Sequence, residues 1–309
     1  MHVIVPYTDI SPKTRLDSTL TASERSAFAQ AMLYDVISAL QANGHTVELL
    51  TPTKTVTHAR KRVNESDNTD ITAETTEMRS ASTPAHETAV EQDAESDTHW
   101  SQSPTSAVSI TPEVVMMILG GSSDSDGEMS IQHRNNHKDT TQDGIQPNQI
   151  TVTTDDRALT PAVNGCLNRL SDPKAQFGEL AVVMADLALI TPTAIERLFA
   201  REGDVVLAPG RGGGTNAIVI RHPSFTVNYH GASYQDHHQI AVDASLSVGV
   251  IDSMRLGTDI DEPTDLPEVL FHNSGMASEW LQSVGIKLSL DDDTGRVGIT
   301  HQRNRADED

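Results

Sequence analysis

Four loops in this chain carry residue types that together could handle phosphates and a divalent cation. The first runs Val5-Pro6 to Lys13-Thr14-Arg15-Leu16. Two cations in a loop that leads toward a helix N-terminus form a phosphate clamp, although a basic pair in a loop is as readily structural. The second is Ala185-Asp186-Leu187, directly after an apolar run. An acid there is placed to hold Mg²⁺ beside a nucleotide, or to serve as a turn or cap aspartate. The third is Pro209-Gly210-Arg211-Gly212-Gly213-Gly214-Thr215-Asn216. Three consecutive glycines let the backbone approach a ligand and present several N–H groups to an anion. The spacing is not that of an ATPase-type P-loop, and a flexible hairpin loop is the bland reading. The fourth is Gly257-Thr258-Asp259-Ile260-Asp261-Glu262. Asp259 and Asp261, two apart at an expected strand end, point to one side and could share a cation, since convergent carboxylates repel without one.

A fifth stretch, Tyr229-His230-Gly231-Ala232-Ser233, adds backbone N–H groups and a hydroxyl at a helix start, a further anion seat. The histidines that follow invite a metal reading. His237 and His238 are adjacent, however, and leave a helix on different sides, which disfavours a histidine metal site.

These loops need a scaffold that brings them to one edge. The sequence predicts an α/β fold: strands at 2–7, 45–50, 180–185, 204–208, 217–220 and 248–252 alternate with helical segments. Thr21 and Glu24 have capping-box spacing, and Phe28, Met32, Val36 and Leu40 recur along one face. Gly44 sits where a left-handed C-cap belongs. Thr191-Pro192 starts another helix, Ser233 is placed to cap one running through Val242, and 262–271 and 277–284 read as helical. In open α/β sheets ligands bind at the carboxyl ends of strands, which is where these loops fall.

The composition divides the 309 residues unevenly. Residues 53–149 hold 26 Ser/Thr, a single aromatic, Trp100, and 16 acids against 7 bases. Such a stretch is too poor in apolar residues to offset backbone entropy of roughly 1–2 kcal/mol per residue. It is expected to be an acidic, disordered insertion, its one apolar run being Val114–Leu119. The remainder, 1–52 and 150–290, suffices for one discontinuous domain, and 300–309 reads as a polar tail.

The net charge is −22, with 6 Lys and 16 Arg against 44 acids. No basic stripe is available for nucleic acid, and docking on an anionic membrane is disfavoured. Abundant carboxylates with scarce lysine resemble the habit of salt-in halophiles, whose hydrated surface acids keep proteins soluble. One cysteine, Cys166, excludes an intramolecular disulfide framework. No apolar window approaches the ~18 residues of a membrane span. The expectation is a soluble, cytoplasmic protein.

Taken in order, VPYTDISPKTRL, VVMADLALITP, APGRGGGTNAI, YHGASYQDH and GTDIDEPTDL resemble the 2-phospho-L-lactate guanylyltransferase family of coenzyme F420 biosynthesis. The resemblance covers about 1–52 and 150–275. It implies a single Rossmann-like GT-A nucleotidyltransferase domain, a homodimer, and condensation of (2S)-2-phospholactate with GTP to lactyl-2-diphospho-5′-guanosine and pyrophosphate. It further implies Asp186, Asp259 and Asp261 as Mg²⁺ ligands, and Lys13 and Arg15, with Asp186, as the catalytic group at the triphosphate. Thr215, His230 and Ser233, with Gly212, Gly213, Gly214, Asn216 and Gly231, become the substrate seat. The chain departs from the family pattern in three places. Thr8 stands where a Lys is common, His230 where Gly is common, and the 97-residue insertion is foreign to it. Readings left open are another phospho-acid such as phosphoenolpyruvate or 3-phosphoglycerate, a GT-A glycosyltransferase, and a non-catalytic nucleotide-binding protein.

Overall fold

Short apolar runs bounded by turn residues become strands here, and amphipathic stretches between them become helices that cover both faces. The computed structural model describes residues 1–68, 106–108, 112–120, 122–123, 129–130, 145–171, 178–290 and 295–302. In chain order the elements are β1 (His2–Pro6), α1 (Ala22–Ala42), β2 (Thr46–Thr51), α2 (Thr53–Asn68), β3 (Ser106–Val108), α3 (Pro112–Ile118), β4 (Ser122–Ser123), β5 (Met129–Ser130) and β6 (Ile150–Thr154). There follow α4 (Leu159–Leu167), β7 (Leu180–Val183), α5 (Pro192–Ala200), β8 (Val205–Pro209), β9 (Thr215–Ile220), α6 (Ser233–Asp243) and β10 (Val248–Val250). The chain ends on α7 (Met254–Gly257), α8 (Leu266–His272), α9 (Met276–Ser283), β11 (Ile286–Leu290) and β12 (Val297–His301).

The central sheet has the order β10-β8-β9-β7-β1-β2-β6-β3. β7, β1, β2 and β6 run parallel, as do β8 and β10, while β9 and the edge strand β3 are antiparallel to their neighbours. The α/β expectation therefore holds, with a mixed, mostly parallel sheet. Its two faces are separate cores, because alternate strand residues leave a sheet on opposite sides. Val3 and Val5 face α1 and α5, whereas Ile4 packs with Val163, Phe225 and Ala241. All four positions expected on one face of α1, Phe28, Met32, Val36 and Leu40, are fully buried, and the Thr21–Glu24 capping box forms.

The second face holds a buried carboxylate at Glu48. Glu48, 1% exposed, accepts from Thr153 Oγ1 (2.6 Å), lies 2.6 Å from His2 Nε2, and pairs with Arg169 Nη1 at 2.7 Å. Burial works against its ionised form, but the His2 and Arg169 contacts outweigh it and hold the carboxyl down to about 2. Cys166 lies beside it, and burial, then the Glu48 charge, pushes the thiol up to about 12. That thiol is a packing residue.

The boundary expected at residue 52 is wrong. Thr53 starts a helix whose first turn is held by Asp156, with Thr53 N–H donating to Oδ1 and its hydroxyl to Oδ2, each at 2.9 Å. Val56 and Ala59 are buried in the core and Val63 packs against it, at i, i+3 and i+7 spacing. The Val114–Leu119 run, the one apolar stretch of the expected insertion, packs there too, with Val114, Val115, Met117, Ile118 and Leu119 all buried. Arg62 Nη2 of α2 donates to Met117 O of this run at 3.4 Å. The expected disorder of the segment therefore fails for 53–64 and 114–120; residues 69–105, with most of 121–144, lie outside the described residues. The domain also extends past 290. β12 pairs with β11, and the His301 ring sits 3.1 Å from Thr19 O and from Val284 O, so 300–301 are not tail. Residues 303–309 lie outside the described residues. Among the described residues, no helix is long and apolar enough to cross a membrane.

Candidate active site

The parallel strands β1 and β7 end side by side, and the β8–β9 connection opens on the same edge of the sheet. Four of the five loops thus meet at carboxyl strand ends or their equivalent. The Asp259–Asp261 loop does not follow a strand as expected. β10 ends at Val250, α7 intervenes, and the loop is tied in by Ile260, which is fully buried. Its backbone N–H donates to Asp186 O at 3.3 Å, so the loop is fastened to the end of β7.

Lys13 is the centre of the charged part. Its side chain is only 10% exposed, and Nζ donates to Asp186 Oδ2 and to Asp261 Oδ1, both at 2.7 Å. Burial would lower the pKa of this ammonium, but Asp186 and Asp261 outweigh burial and raise it, so it stays charged. In return Lys13 overcomes the burial of Asp261 and holds that carboxyl below the usual range. Asp259 goes the other way: burial first, then repulsion from Asp186, raises its pKa. Lys13 adopts a left-handed backbone (φ 53°) and Ser11 another (φ 47°), conformations that non-glycine residues hold at a cost of order 1–3 kcal/mol. Strain of that kind at a buried, doubly paired lysine marks a loop shaped for its charge. Arg15 stands at the rim, 65% exposed, 3.4 Å from Asp261 Oδ2 and 3.6 Å from Glu262 Oε1. The cleft beside it, about 290 Å³, has Met32, Ala29 and Met184 as apolar walls and Tyr7, Lys13, Arg15 and Asp186 as polar ones.

The donor set has room for a cation in one respect. Asp186 Oδ1 is buried without a hydrogen-bond partner, and an orphaned carboxylate oxygen beside two further acids is unstable without a positive charge. In this arrangement Lys13 supplies that charge, and among the described residues no three His, Cys, Asp or Glu side chains converge as a ready metal cage.

The second part is built from neutral groups. β9 carries a bulge: Ala208 pairs with Ala217 but Pro209 pairs with Thr215, leaving Asn216 as the extra residue. Bulges re-aim side chains beside sites, and this one breaks the alternation of the strand. Thr215 has the parity of Ala217 and Val219, which face α1, yet its hydroxyl lies 3.3 Å from Ser233 Oγ and 2.9 Å from His237 Nδ1 of α6. Asn216 instead turns its amide to Leu256 O (3.0 Å) and Asp259 Oδ1 (3.2 Å), steadying the acidic loop. Gly210 makes that possible, since a Cβ there would stand 2.6 Å from Asn216 Oδ1.

The glycine loop and the start of α6 are joined by Tyr234 N–H donating to Gly213 O at 3.1 Å, which places Gly213 beside Gly231 and Gly214 beside Ser233, with Gly212 facing open space. Ser233 does not cap α6 as expected. Ala232 is the N-cap, no side-chain cap forms, and the 2%-exposed Ser233 hydroxyl goes to Thr215. The half-exposed His230 ring is turned onto Asp236, and its Nδ1 accepts from Ala232 N–H at 3.4 Å, taking one of the backbone donors expected for the seat. Sequence reasoning missed His237 as a polar partner. Its helix position under Ser233 was the available signal, four residues on and therefore on the same face.

A model of the guanylyl transferase CofC-like family matches residues 1–93 and 136–302. The match runs through 53–93 and 136–149, which corrects the expectation that the whole stretch is foreign to the family. A 2-phospho-L-lactate guanylyltransferase of Haloquadratum walsbyi is 67% identical over 316 residues, spanning all of both chains. One from Halomicrobium mukohataei is 38% identical, covering 97% of this chain and 98% of its own. Among solved structures, a putative nucleotide-diphospho-sugar transferase from Desulfovibrio desulfuricans superposes with a TM-score of 0.53 at 12% identity. It covers 91% of this chain and 94% of its own, a likeness of fold.

Proposed function

The chain belongs to the CofC-like guanylyl transferase family, a family of nucleotidyltransferase enzymes, and we propose that it joins (2S)-2-phospholactate to GTP in coenzyme F420 biosynthesis. A phosphate oxygen of the acid attacks the α-phosphorus of GTP, the bond to the bridging oxygen breaks, and pyrophosphate leaves with that electron pair. The product is lactyl-2-diphospho-5′-guanosine. The observation that carries this reading is the buried Lys13 ammonium held between Asp186 and Asp261 beside an open cleft. Two anions must be brought together, so catalysis rests on charge neutralisation and positioning rather than on a protein nucleophile.

In this reading Lys13 and Arg15 hold the triphosphate, and Gly212, Gly213, Gly214, Thr215, Gly231 and Ser233 seat the phospho-acid. Asn216 holds Asp259 in place. Mg²⁺ would be held by Asp186, Asp259 and Asp261 together with substrate oxygens, as this ion prefers, and would supply further neutralisation of the phosphates. The unpartnered Asp186 Oδ1 and the raised pKa of Asp259 support that assignment. A homodimer and a cytoplasmic site of action complete the proposal. The charge of −22 fits a salt-rich cytosol, where a Debye length near ~3 Å at 1 M removes most of the repulsion toward GTP.

The test is pyrophosphate release in concentrated KCl with Mg²⁺, pairing each of GTP, ATP and CTP with 2-phospholactate, phosphoenolpyruvate and 3-phosphoglycerate. Release with GTP plus 2-phospholactate above all other pairs is expected. Its absence overturns the reading, and preference for another acid reassigns the substrate. Sedimentation velocity decides the dimer.

A further inference from the structure

Thr215 and Ser233 are almost fully buried, and His237 lies beneath them with no exposure at all. Its ring is gripped by Tyr229 edge-on, centroids 4.9 Å apart, and by Phe225 at 6.1 Å. The hydrogen bonds on the two ring nitrogens settle where its proton sits. Asn228 N–H donates to Nε2 at 2.8 Å, and a backbone amide has nothing to accept with, so Nε2 presents its lone pair. Burial disfavours the imidazolium and pushes the pKa down to about 4, so the ring is neutral near pH 7. A neutral imidazole with a lone pair on Nε2 carries its hydrogen on Nδ1. That hydrogen points at Thr215 Oγ1, 2.9 Å away. The Ser233 hydroxyl, at 3.3 Å, donates into the same oxygen. A threonine oxygen has two lone pairs and one proton. With both lone pairs engaged, its proton is left to donate to a third group.

We propose that His237 is a positioning residue for the phospho-acid: it fixes the Thr215 hydroxyl as a hydrogen-bond donor toward an anionic oxygen of that substrate. The identity of the anion rests on the guanylyltransferase reading; the direction of the hydrogen bonds does not. An uncharged relay suits this place. A fixed cation here would bind acid and product alike, whereas an oriented hydroxyl discriminates by geometry. The substrate-seat role proposed for Thr215 does not by itself call on the histidine, which touches neither the cleft at Lys13 nor the acidic loop in any contact of the described residues.

The experiment compares His237→Phe, which keeps bulk and burial, with His237→Asn, whose amide nitrogen falls near the place of Nδ1–H. His237→Phe is expected to raise KM for the phospho-acid about ten- to a hundredfold, the range for a lost hydrogen bond to a charged group, with KM for GTP within twofold. His237→Asn should recover most of that loss. In a Thr215→Val background His237→Phe should add less than a factor of two. A shift of both KM values together, or an undiminished penalty in the Thr215→Val background, would overturn the proposal. Nitrogen-15 histidine spectra of the full chain give a readout independent of turnover. The ring signal absent from His237→Asn should be the Nδ1-protonated neutral tautomer, and an Nε2-protonated ring would also overturn it. A wild-type protein that releases no pyrophosphate with any acid fails the functional reading, while the spectra still decide this one.

Discussion

The two halves of the candidate site, each proposed to hold an anion, are built in opposite ways. Around Lys13 the groups are charged and mutually dependent: one ammonium satisfies two carboxylates at 2.7 Å each, and a third acid beside them is pushed toward protonation. Around Thr215 the groups are neutral, and every identified contact runs in one direction from donor to acceptor. Charge pairs are strong but exchangeable, because any cation of suitable size can replace another. Oriented dipoles cannot be exchanged and must be built in by packing. This contrast is the ground for proposing the triphosphate, which arrives with its own counter-ion, at the first half, and the small acid, which must be told from similar ones, at the second.

The largest effect should come from removing a charge in the first half. Asp186→Asn is expected to lower kcat by three orders of magnitude or more, by analogy with the loss of other main electrostatic groups, while thermal unfolding shows an intact fold. Near-normal turnover would take Asp186 out of the site. Lys13→Ala should cost about 10²–10³ in kcat, and Lys13→Arg should restore little, since a planar fork does not fit a pocket shaped for a point charge. Thr215→Val should raise KM for the acid about ten- to a hundredfold with a smaller change in kcat. If it lowered kcat as far as Lys13→Ala does, the division between charge and geometry would collapse. Arg15→Ala should cost least, within about tenfold, and the deficit should shrink in molar KCl because an exposed pair is screened.

Acid should separate the halves as well. The His237 pKa is lowered by burial from 6.5 to about 4, so below 6.5 the unfolded chain binds a proton that the folded one refuses. Stability is then full above pH 6.5 and falls as pH drops toward 4, by up to about 3 kcal/mol. The Lys13–Asp261 pair behaves differently. Asp261 is held below the ordinary carboxylate range, so its contribution persists through that window and is lost only at lower pH. Urea unfolding from pH 4 to 7 should show the slope in the wild type and lose most of it in His237→Asn. An equal slope in both would mean His237 is not the group that titrates.

Much of this was legible beforehand, for physical reasons. The strands and α1 announced themselves because their apolar positions repeat with the period of the element that buries them. Asp186 and the glycine loop each had a bland alternative, a turn aspartate and a flexible hairpin, and stood out only because both fall at strand ends of one sheet. The α2–α3 pair did not. Thr53–Asn68 has apolar anchors at Val56, Ala59 and Val63 amid polar residues, and its partner Val114–Leu119 lies some fifty residues on. Local periodicity does not register a helix that is justified by a distant neighbour. His237 was weighed only as a metal ligand, and its hydrogen bond to Thr215 depends on a bulge that no residue pattern signals. The failure of Ser233 to cap α6 has the same origin, since its hydroxyl finds a tertiary partner instead.

That bulge also ties the halves together. Thr215 and Asn216 are consecutive, yet one belongs to the proposed acid seat and the other grips Asp259. A shift of one peptide unit in β9 is felt at both ligands, with no intervening layer to absorb it. Any free energy of coupling transmitted this way is mutual. Whatever factor the bound acid adds to the affinity for nucleotide, the nucleotide adds to the affinity for acid. The enzyme then has a thermodynamic reason to hold its two anions as a pair rather than singly.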